Sequence, residues 1–444
     1  MASSCKGYYR PGVQLKDYQR DGSIFAFIKR RASLIMGKGT GKTITALNLI
    51  KLSKPINVFI GTGSKASVEN WYRQIAKFTF SKISWDQNGI RTIIIGNRTR
   101  VYIRVYNPYH YNPLPKIDLF VLDEFHNLKS RKAKRSKTIR RLIDRNYKAR
   151  VIIMTATPTA INEVDMWFPY TLLNVFNKKW SSFFREYCEN YGFFNKKVRL
   201  REEMKEEFME RVDKVTYYVS DDVLGLESED RVVRLKFSRP NREIYEYLEN
   251  EFILEFQDIQ QLLPNALSKM CKLHQICGGS VYTEAGLKNL MPCEKLEWVK
   301  AFVSKREDKT VIFCAYNSEV TRIHLELNHL GVKNLTLYGG NKDKNSWMKF
   351  QDDKSIRVIV CQFMSGAESI DLYAADMAIY YSLNFRYISF DQSMGRIKRM
   401  GQRKKSKFVF LMVENSIDQI VYENLSQKGR IAQEVFNQLK KNKS

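Results

Sequence analysis

The chain has 444 residues, more than one hydrophobic core usually supports, so we expect two or three domains. Its 74 lysines and arginines exceed its 47 aspartates and glutamates, and the net charge is +27. With 44% hydrophobic residues the composition excludes a disordered chain, and the charge favours a polyanionic partner, most simply nucleic acid.

No signal peptide or membrane span is predicted, because residues 1–6 lack an apolar core and no apolar run approaches ~18 residues. The seven cysteines are odd in number and scattered, as expected for a reduced protein. We therefore expect a cytoplasmic protein without a membrane partner. One cluster resembles a zinc site but lacks a C-x-x-C pair, which favours buried thiols: Cys271, His274, Cys277 and Cys293.

A glycine-rich segment, Gly37–Thr43, lies between an apolar run and a helix-like pattern. This order is that of a phosphate-binding loop, whose backbone N–H groups surround an anion. Lys42 would reach the β- and γ-phosphates of ATP and Thr43 would bind Mg²⁺, although Met36 stands where the strict spacing has glycine. Upstream, the amide of Gln19 offers a donor and an acceptor suited to adenine. The predicted nucleotide contacts are Gln19, Gly39, Thr40, Gly41, Lys42 and Thr43.

Two segments further along are candidates for nucleic-acid contact. After a predicted strand at 56–60, a small polar turn either holds phosphate or simply joins a strand to a helix. Strands are also predicted at 91–95 and 101–106, around a basic turn. This hairpin either guides nucleic-acid strands or, as we favour, is a pair of core strands. The contact candidates are Thr62, Ser64 and Lys65 in the first segment, and Arg98 and Arg100 in the second.

Two carboxylates follow the apolar run 117–122. Asp123 would hold Mg²⁺ through water, and Glu124 would act as general base for the attacking water. His126 could link this site to a neighbouring domain. We interpret the basic run that follows as phosphate contacts rather than a solvated face; it includes Lys129, Arg131 and Lys132.

A further apolar run, 151–154, ends in Thr155-Ala156-Thr157-Pro158. The hydroxyls of Thr155 and Thr157 could couple a nucleotide site to nucleic acid through hydrogen bonds that switch partners. Taken in order, Gly39–Thr43, Asp123–His126 and Thr155–Pro158 resemble motifs I, II and III of superfamily 2 helicases and translocases.

The resemblance continues through the second half of the chain. Ser365–Leu372 resembles motif V, although Snf2 proteins carry Gly and Asn where this chain has Ser369 and Asp371. The resemblance implies that Asp371 contacts the nucleotide and that Ser365 contacts nucleic acid. The segment 392–402 resembles motif VI in its Snf2-like form and supplies three candidate catalytic residues: Gln392, Arg396 and Arg399.

The two arginines of motif VI are predicted to lie one turn apart on a helix and to face the same way. Both guanidinium groups would then reach the γ-phosphate, in the role of arginine fingers.

The fold class implied by the resemblance is α/β, with two RecA-like parallel-sheet lobes and helical protrusions. We predict lobe 1 at 1–232 with a helical insertion at about 160–215. Lobe 2 is predicted at 233–444 with a helical insertion at about 240–290 and a C-terminal brace.

The function implied is ATP- and Mg²⁺-dependent movement on DNA by a monomer. The compact, Lys- and Asn-rich chain indicates a bacteriophage or bacterial source, in which case the host cytoplasm is the expected location, and branched DNA is our first choice of substrate. One alternative is a duplex translocase that does not separate strands. Another is an ATP-gated scaffold with little turnover, and RNA stays open as the polymer.

Overall fold

The computed structural model describes residues 8–85, 91–107, 114–156, 163–191, 197–255, 262–283, 286–340, 346–363, 370–399 and 401–427. These residues form two compact units, the first reaching Leu224 and the second starting at Gly225. The boundary predicted at 232 and 233 falls inside strand β11 (Ser228–Leu235), and all eight residues of β11 pair within the second unit. The boundary therefore lies earlier than the sequence predicted.

Unit 1 is built on an eight-stranded sheet in the order β10-β1-β7-β6-β2-β5-β4-β3. The strands from β10 to β5 are parallel, whereas β4 and β3 run antiparallel at one edge. Its strands are β1 (Arg31–Met36), β2 (Asn57–Thr62), β3 (Ser81–Trp85), β4 (Arg91–Ile95), β5 (Thr99–Val105), β6 (Leu119–Asp123), β7 (Arg150–Thr155), β8 (Cys188–Tyr191), β9 (Lys197–Leu200) and β10 (Thr216–Val219). Its helices are α1 (Asp17–Lys29), α2 (Lys42–Ser53), α3 (Lys65–Phe78), α4 (Lys134–Arg145), α5 (Trp167–Thr171), α6 (Trp180–Tyr187) and α7 (Glu202–Asp213).

The central strands are apolar throughout because both faces of the sheet are covered. Alternate residues enter opposite cores: Ile35 packs in the same cluster as Phe120, whereas Leu34 belongs to the cluster that contains Val58. The hairpin of β4 and β5 belongs to this sheet, with Val101 fully buried, as the core-strand interpretation predicted.

The segment predicted as a helical insertion at 160–215 packs on the core instead of projecting from it. Phe176, Phe183, Tyr187 and Phe208 are buried in one of the two cores, and Phe176 stacks on Phe208 with ring centroids 4.9 Å apart. The segment includes the antiparallel pair β8–β9 and leads into β10, which extends the sheet beside β1. Aromatic burial therefore makes it part of unit 1.

Unit 2 has a six-stranded, fully parallel sheet in the order β11-β18-β17-β14-β16-β15. The fold class, two α/β units with parallel sheets, is thus confirmed. Besides β11, the strands are β12 (Ser280–Thr283), β13 (Gly286–Asn289), β14 (Thr310–Cys314), β15 (Asn334–Leu337), β16 (Val358–Gln362), β17 (Met377–Tyr380) and β18 (Ser406–Val413). The helices are α8 (Arg239–Glu255), α9 (Leu262–Cys277), α10 (Glu294–Ser304), α11 (Asn317–His329), α12 (Ser346–Asp352) and α13 (Tyr387–Met394), followed by a last described helix over 417–427.

Candidate active site

The predicted nucleotide residues of unit 1 lie at the carboxyl ends of parallel strands. The loop 37–41 follows β1, Asp123 ends β6, and Thr155 ends β7. Because β1, β7 and β6 are neighbours in register, their ends meet at one edge of the sheet. Parallel α/β sheets bind ligands at this edge.

The loop between β1 and α2 has the backbone of a phosphate cradle. Gly39 and Gly41 have φ of 74° and 93°, a region that favours glycine. A Cβ on Gly37 would lie 2.4 Å from the backbone nitrogen of Asp221, so only glycine fits there. Lys42 begins α2 and its Nζ donates to the carbonyl of Met36 at 3.2 Å. The helix N-terminus and the lysine therefore lie beside the same loop, as the motif requires.

Gln19 braces this loop in the structure. Its amide nitrogen donates to the Thr40 carbonyl at 2.8 Å, and its amide oxygen accepts the Lys16 N–H at 3.0 Å. The side chain is 2% exposed, and a Cβ on Gly41 would lie 2.4 Å from its Nε2. The amide predicted to contact adenine thus forms hydrogen bonds within the chain, and these bonds hold the loop in place.

Glu124 occupies a strained backbone position between β6 and the 3₁₀ turn Phe125–Leu128. Its φ is 51°, in the left-handed region that few residues other than glycine adopt. Such strain costs about 1–3 kcal/mol and is common at functional sites.

Glu124, Thr155 and His126 form a hydrogen-bonded cluster within unit 1. The Thr155 hydroxyl donates to Glu124 Oε2 at 2.9 Å, and His126 Nδ1 lies 3.4 Å from the same oxygen. His126 Nδ1 is also 3.4 Å from Thr155 Oγ1. The structure therefore joins the predicted motifs II and III directly. The other predicted coupling residue, Thr157, lies outside the described residues.

The two adjacent carboxyls differ in their affinity for a proton. Burial, followed by the charge of Glu124, raises the pKa of Asp123 above its usual range. Burial also opposes ionisation of Glu124, but hydrogen bonding to His126, the charge of His126 and the charge of Lys42 outweigh it and lower the pKa of Glu124. At neutral pH Glu124 is therefore ionised, the state that a general base needs.

Two side chains that the sequence did not single out hold Asp123 in place. The indole N–H of Trp71 donates to Asp123 Oδ2 at 2.9 Å, and the Tyr106 hydroxyl donates to the Asp123 carbonyl at 2.8 Å. Trp71 is 2% exposed and lies in α3, where its spacing matches that of ordinary core residues. The sequence carries no signal that distinguishes this tryptophan from an ordinary core residue.

In unit 2, the arginines of the predicted motif VI lie beyond the helix expected to carry them. Helix α13 ends at Met394, and Arg396 and Arg399 lie in the turns that follow. The helix prediction was wrong because the backbone at Arg396 is hydrogen-bonded to another loop. The Arg396 carbonyl accepts the Leu372 N–H at 3.0 Å. Both guanidinium groups nevertheless donate to the Ile370 carbonyl, each at 3.4 Å.

Asp371 forms an ion pair with Arg399. The residue predicted to contact the nucleotide therefore holds a predicted arginine finger within unit 2. Gln392 lies in α13, before the turn that carries Arg396. Ser365 lies outside the described residues.

The predicted nucleic-acid contacts of unit 1 divide into buried and exposed residues. Thr62 is fully buried, so it does not present a surface for a polymer, and that prediction is corrected. Ser64 caps α3 by accepting the Ser67 N–H at 3.2 Å, while Lys65, Arg98 and Arg100 are exposed.

The basic run after the 3₁₀ turn is partly engaged with the chain. Lys129 pairs with Asp165 at 3.0 Å, and the Arg131 guanidinium lies over Trp180, 4.9 Å from the ring centroid. Lys132 is exposed. Of these three residues, Lys132 is thus the one most available to a phosphate.

The residues considered for zinc serve other contacts. His274 is fully buried, with Nδ1 3.0 Å from the Tyr316 hydroxyl, and Cys277 and Cys293 are buried free thiols. Across the described parts of the chain, no group of three or more His, Cys, Asp or Glu residues is arranged to hold a metal. In the same parts, every helix is too short or too polar to span a bilayer.

Two family models match the chain, one in each unit. The model described as the res subunit of type III restriction enzymes matches residues 14–160, and the helicase conserved C-terminal domain matches residues 294–401.

Several curated proteins are similar over most of this chain. The uncharacterized ATP-dependent helicase YqhH of Bacillus subtilis is 23% identical over 90% of this chain and 75% of its own length. A SWI/SNF-related matrix-associated actin-dependent regulator of chromatin, subfamily A-like protein 1, from Drosophila melanogaster is 22% identical over 95% of this chain. This chain spans 56% of that protein. Among solved structures, the SWI2/SNF2 ATPase core of Sulfolobus solfataricus in complex with dsDNA is 18% identical, covers 98% of this chain and 96% of its own, and has a TM-score of 0.43.

Proposed function

Because the chain belongs to the superfamily 2 helicases and translocases and is Snf2-like, we propose that it couples ATP hydrolysis to movement on DNA and remodels or unwinds branched DNA. The observation that carries the proposal is the cluster of Glu124, Thr155 and His126 at the same sheet edge as the phosphate loop. In this arrangement Glu124 would act as the general base, and its hydrogen bonds to Thr155 and His126 would change with the state of the nucleotide.

In the proposed site, Lys42 and the loop before it bind the phosphates, and Glu124 accepts a proton from the attacking water. The oxygen donors Thr43 and Asp123 fit the preference of Mg²⁺ for hydroxyl and carboxylate ligands. When bound, Mg²⁺ would neutralise charge on the β- and γ-phosphate oxygens. A proton on Glu124 weakens its attraction for the Thr155 hydroxyl and His126, so turnover changes the hydrogen bonds of the predicted motif III.

The arginines of unit 2 complete the proposed reaction. Arg396 and Arg399 would stabilise the charge that develops on the γ-phosphoryl group, and Arg399 would exchange its ion pair with Asp371 for this contact.

DNA as the polymer is supported by the net charge of +27 and by exposed cations near the site. The test is ATPase and strand separation measured on forked DNA, Holliday junctions, linear duplex and RNA of equal length. Unwinding of forks or junctions supports the proposal. Absence of ATPase stimulation by every polymer contradicts it and favours the scaffold alternative.

A duplex translocase that does not separate strands is the second candidate. The Snf2-like form of the predicted motif VI supports it, as does the similarity to a regulator of chromatin. Displacement of a bound triplex-forming strand from duplex DNA, without unwinding of a fork, would select this alternative.

Replacing Trp71 by phenylalanine is expected to weaken Mg²⁺-dependent nucleotide binding by about 10–100-fold, the usual cost of removing a hydrogen bond to a metal-binding carboxylate. The phenyl ring keeps the packing of α3 but loses the N–H that orients Asp123. The measurement is the Mg²⁺ concentration for half-maximal binding of a fluorescent, non-hydrolysable ATP analogue.

The matched control for this prediction is Trp167→Phe. Trp167 is 7% exposed in the same unit, and its indole nitrogen has no hydrogen-bond partner among the described residues. Equal Mg²⁺ requirements in the two variants would show that the Trp71 N–H does not position Asp123.

A further inference from the structure

Unit 1 carries a second cluster of cations. It lies at the amino ends of the strands whose carboxyl ends carry the nucleotide residues. We define the amino-edge patch as Arg30, Arg31, Lys116, Arg145, Lys148 and Arg150. Arg31 begins β1, Arg150 begins β7, and Lys116 precedes β6, so the patch lies at the amino ends of strands whose carboxyl ends carry the phosphate loop, Thr155 and Asp123.

The distance between the patch and the nucleotide residues follows from the length of the strands that connect them. Strands of five or six residues span about 17–20 Å, and β1, β7 and β6 pair in register. A ligand on the patch therefore does not share contacts with the nucleotide site.

Carboxylates among the described residues leave the charge of the patch uncompensated. In the described residues, none of its six cations forms an ion pair with a carboxylate. The arginines donate to carbonyls instead: Arg31 to Leu172 at 2.6 Å and Tyr147 at 3.2 Å, and Arg30 to Lys148 at 3.2 Å. These bonds fix the guanidinium groups without removing their charge.

Two carboxylates lie nearby, and each has other partners. Asp118 accepts the N–H groups of Ile56 and Asn57 at 3.0 and 2.9 Å, and Asp144 pairs with Arg140 at 3.2 Å. Burial, followed by the charge of Arg30, lowers the pKa of Arg150, which agrees with an excess of positive charge.

The shape of the patch suits an extended anion. Five of its cations line a cavity of about 330 Å³, and Tyr147, which is 69% exposed, lies among them. Fixed guanidinium groups with exposed lysines and an exposed aromatic ring are a combination that binds nucleic-acid phosphates.

We propose that the amino-edge patch is a second nucleic-acid contact of unit 1, which binds the phosphate backbone independently of ATP. This inference rests on the proposed function and extends it. It gives the protein a hold on the polymer that persists through nucleotide exchange.

The test is the triple variant Lys116→Gln, Arg145→Gln, Lys148→Gln, which leaves the carbonyl-bonded arginines intact. We expect the dissociation constant for labelled duplex DNA to rise about tenfold or more. The slope of log binding constant against log salt should fall in magnitude by about 2–3, since each phosphate contact contributes about 0.9. Both changes should be the same with and without a non-hydrolysable ATP analogue.

The matched control is Lys82→Gln, Lys305→Gln, Lys354→Gln, which removes three exposed charges elsewhere. Equal DNA affinity and salt slope in the two triple variants would overturn the inference. An altered affinity for anionic vesicles with unchanged DNA binding would overturn it in favour of a lipid surface. If the unaltered chain bound DNA but showed no DNA-stimulated ATPase, the proposed function would be contradicted. The inference that the patch binds DNA would not be contradicted by that result.

Discussion

The variant Glu124→Gln is expected to lower nucleic-acid-stimulated ATP hydrolysis by about 10²–10⁴-fold and to leave ATP binding nearly unchanged. Glutamine keeps the size of the side chain and an oxygen that can accept the Thr155 hydroxyl, but it cannot take a proton from water at neutral pH. The backbone at 124 stays equally strained, so the change tests chemistry rather than folding. Steady-state ATPase and equilibrium binding of a fluorescent ATP analogue measure the two effects.

Two further variants serve as comparisons for Glu124→Gln. Lys42→Ala should lose both binding and turnover, because Lys42 begins the helix beside the phosphate loop. Glu203→Gln changes an exposed carboxylate of α7 and should keep both. Normal turnover in Glu124→Gln would remove Glu124 from the role of general base.

The second large effect is expected at the arginines of unit 2. Arg399→Ala should lower the rate of hydrolysis by about 10³–10⁵-fold, the range for loss of an arginine finger. This corresponds to about 4–7 kcal/mol of transition-state stabilisation. Binding of ATP should change much less, and single-turnover measurements at saturating ATP separate the two quantities.

Lys398→Ala is the matched control for Arg399→Ala. Lys398 is a neighbouring cation, and its described contact is a 3.4 Å hydrogen bond to Ser228. Equally low rates of hydrolysis in the two variants would mean that local charge, rather than the Arg399 guanidinium, supports hydrolysis. Arg399→Lys should not restore the rate, because an ammonium group lacks the planar fork of donors.

The sequence predicted those parts of the site that are determined by neighbours in the chain. The phosphate loop and the Asp123–Glu124 pair each follow a buried strand, so their positions at the sheet edge follow from the parallel order of the strands. The second parallel sheet, which the family resemblance implied, is likewise present as the six-stranded sheet of unit 2.

The contacts that escaped prediction join residues far apart in the chain. Trp71 donates to Asp123 across 52 positions, and the amide of Gln19 is taken by the Thr40 carbonyl across 21. Hydrogen bonds of this kind depend on how helices pack on the sheet, and hydrophobic periodicity does not encode them. The end of α13 was misplaced for the same reason, since the loop near Leu372 binds the backbone at Arg396.

The parallel sheet of unit 1 also has a mechanical consequence. A force between the nucleotide edge and the amino-edge patch would run along β1, β7 and β6, whose hydrogen bonds lie across that direction. The ladder would be loaded in shear, with many bonds sharing the force, instead of being opened one bond at a time. The sheet would therefore resist most strongly a force applied along these strands.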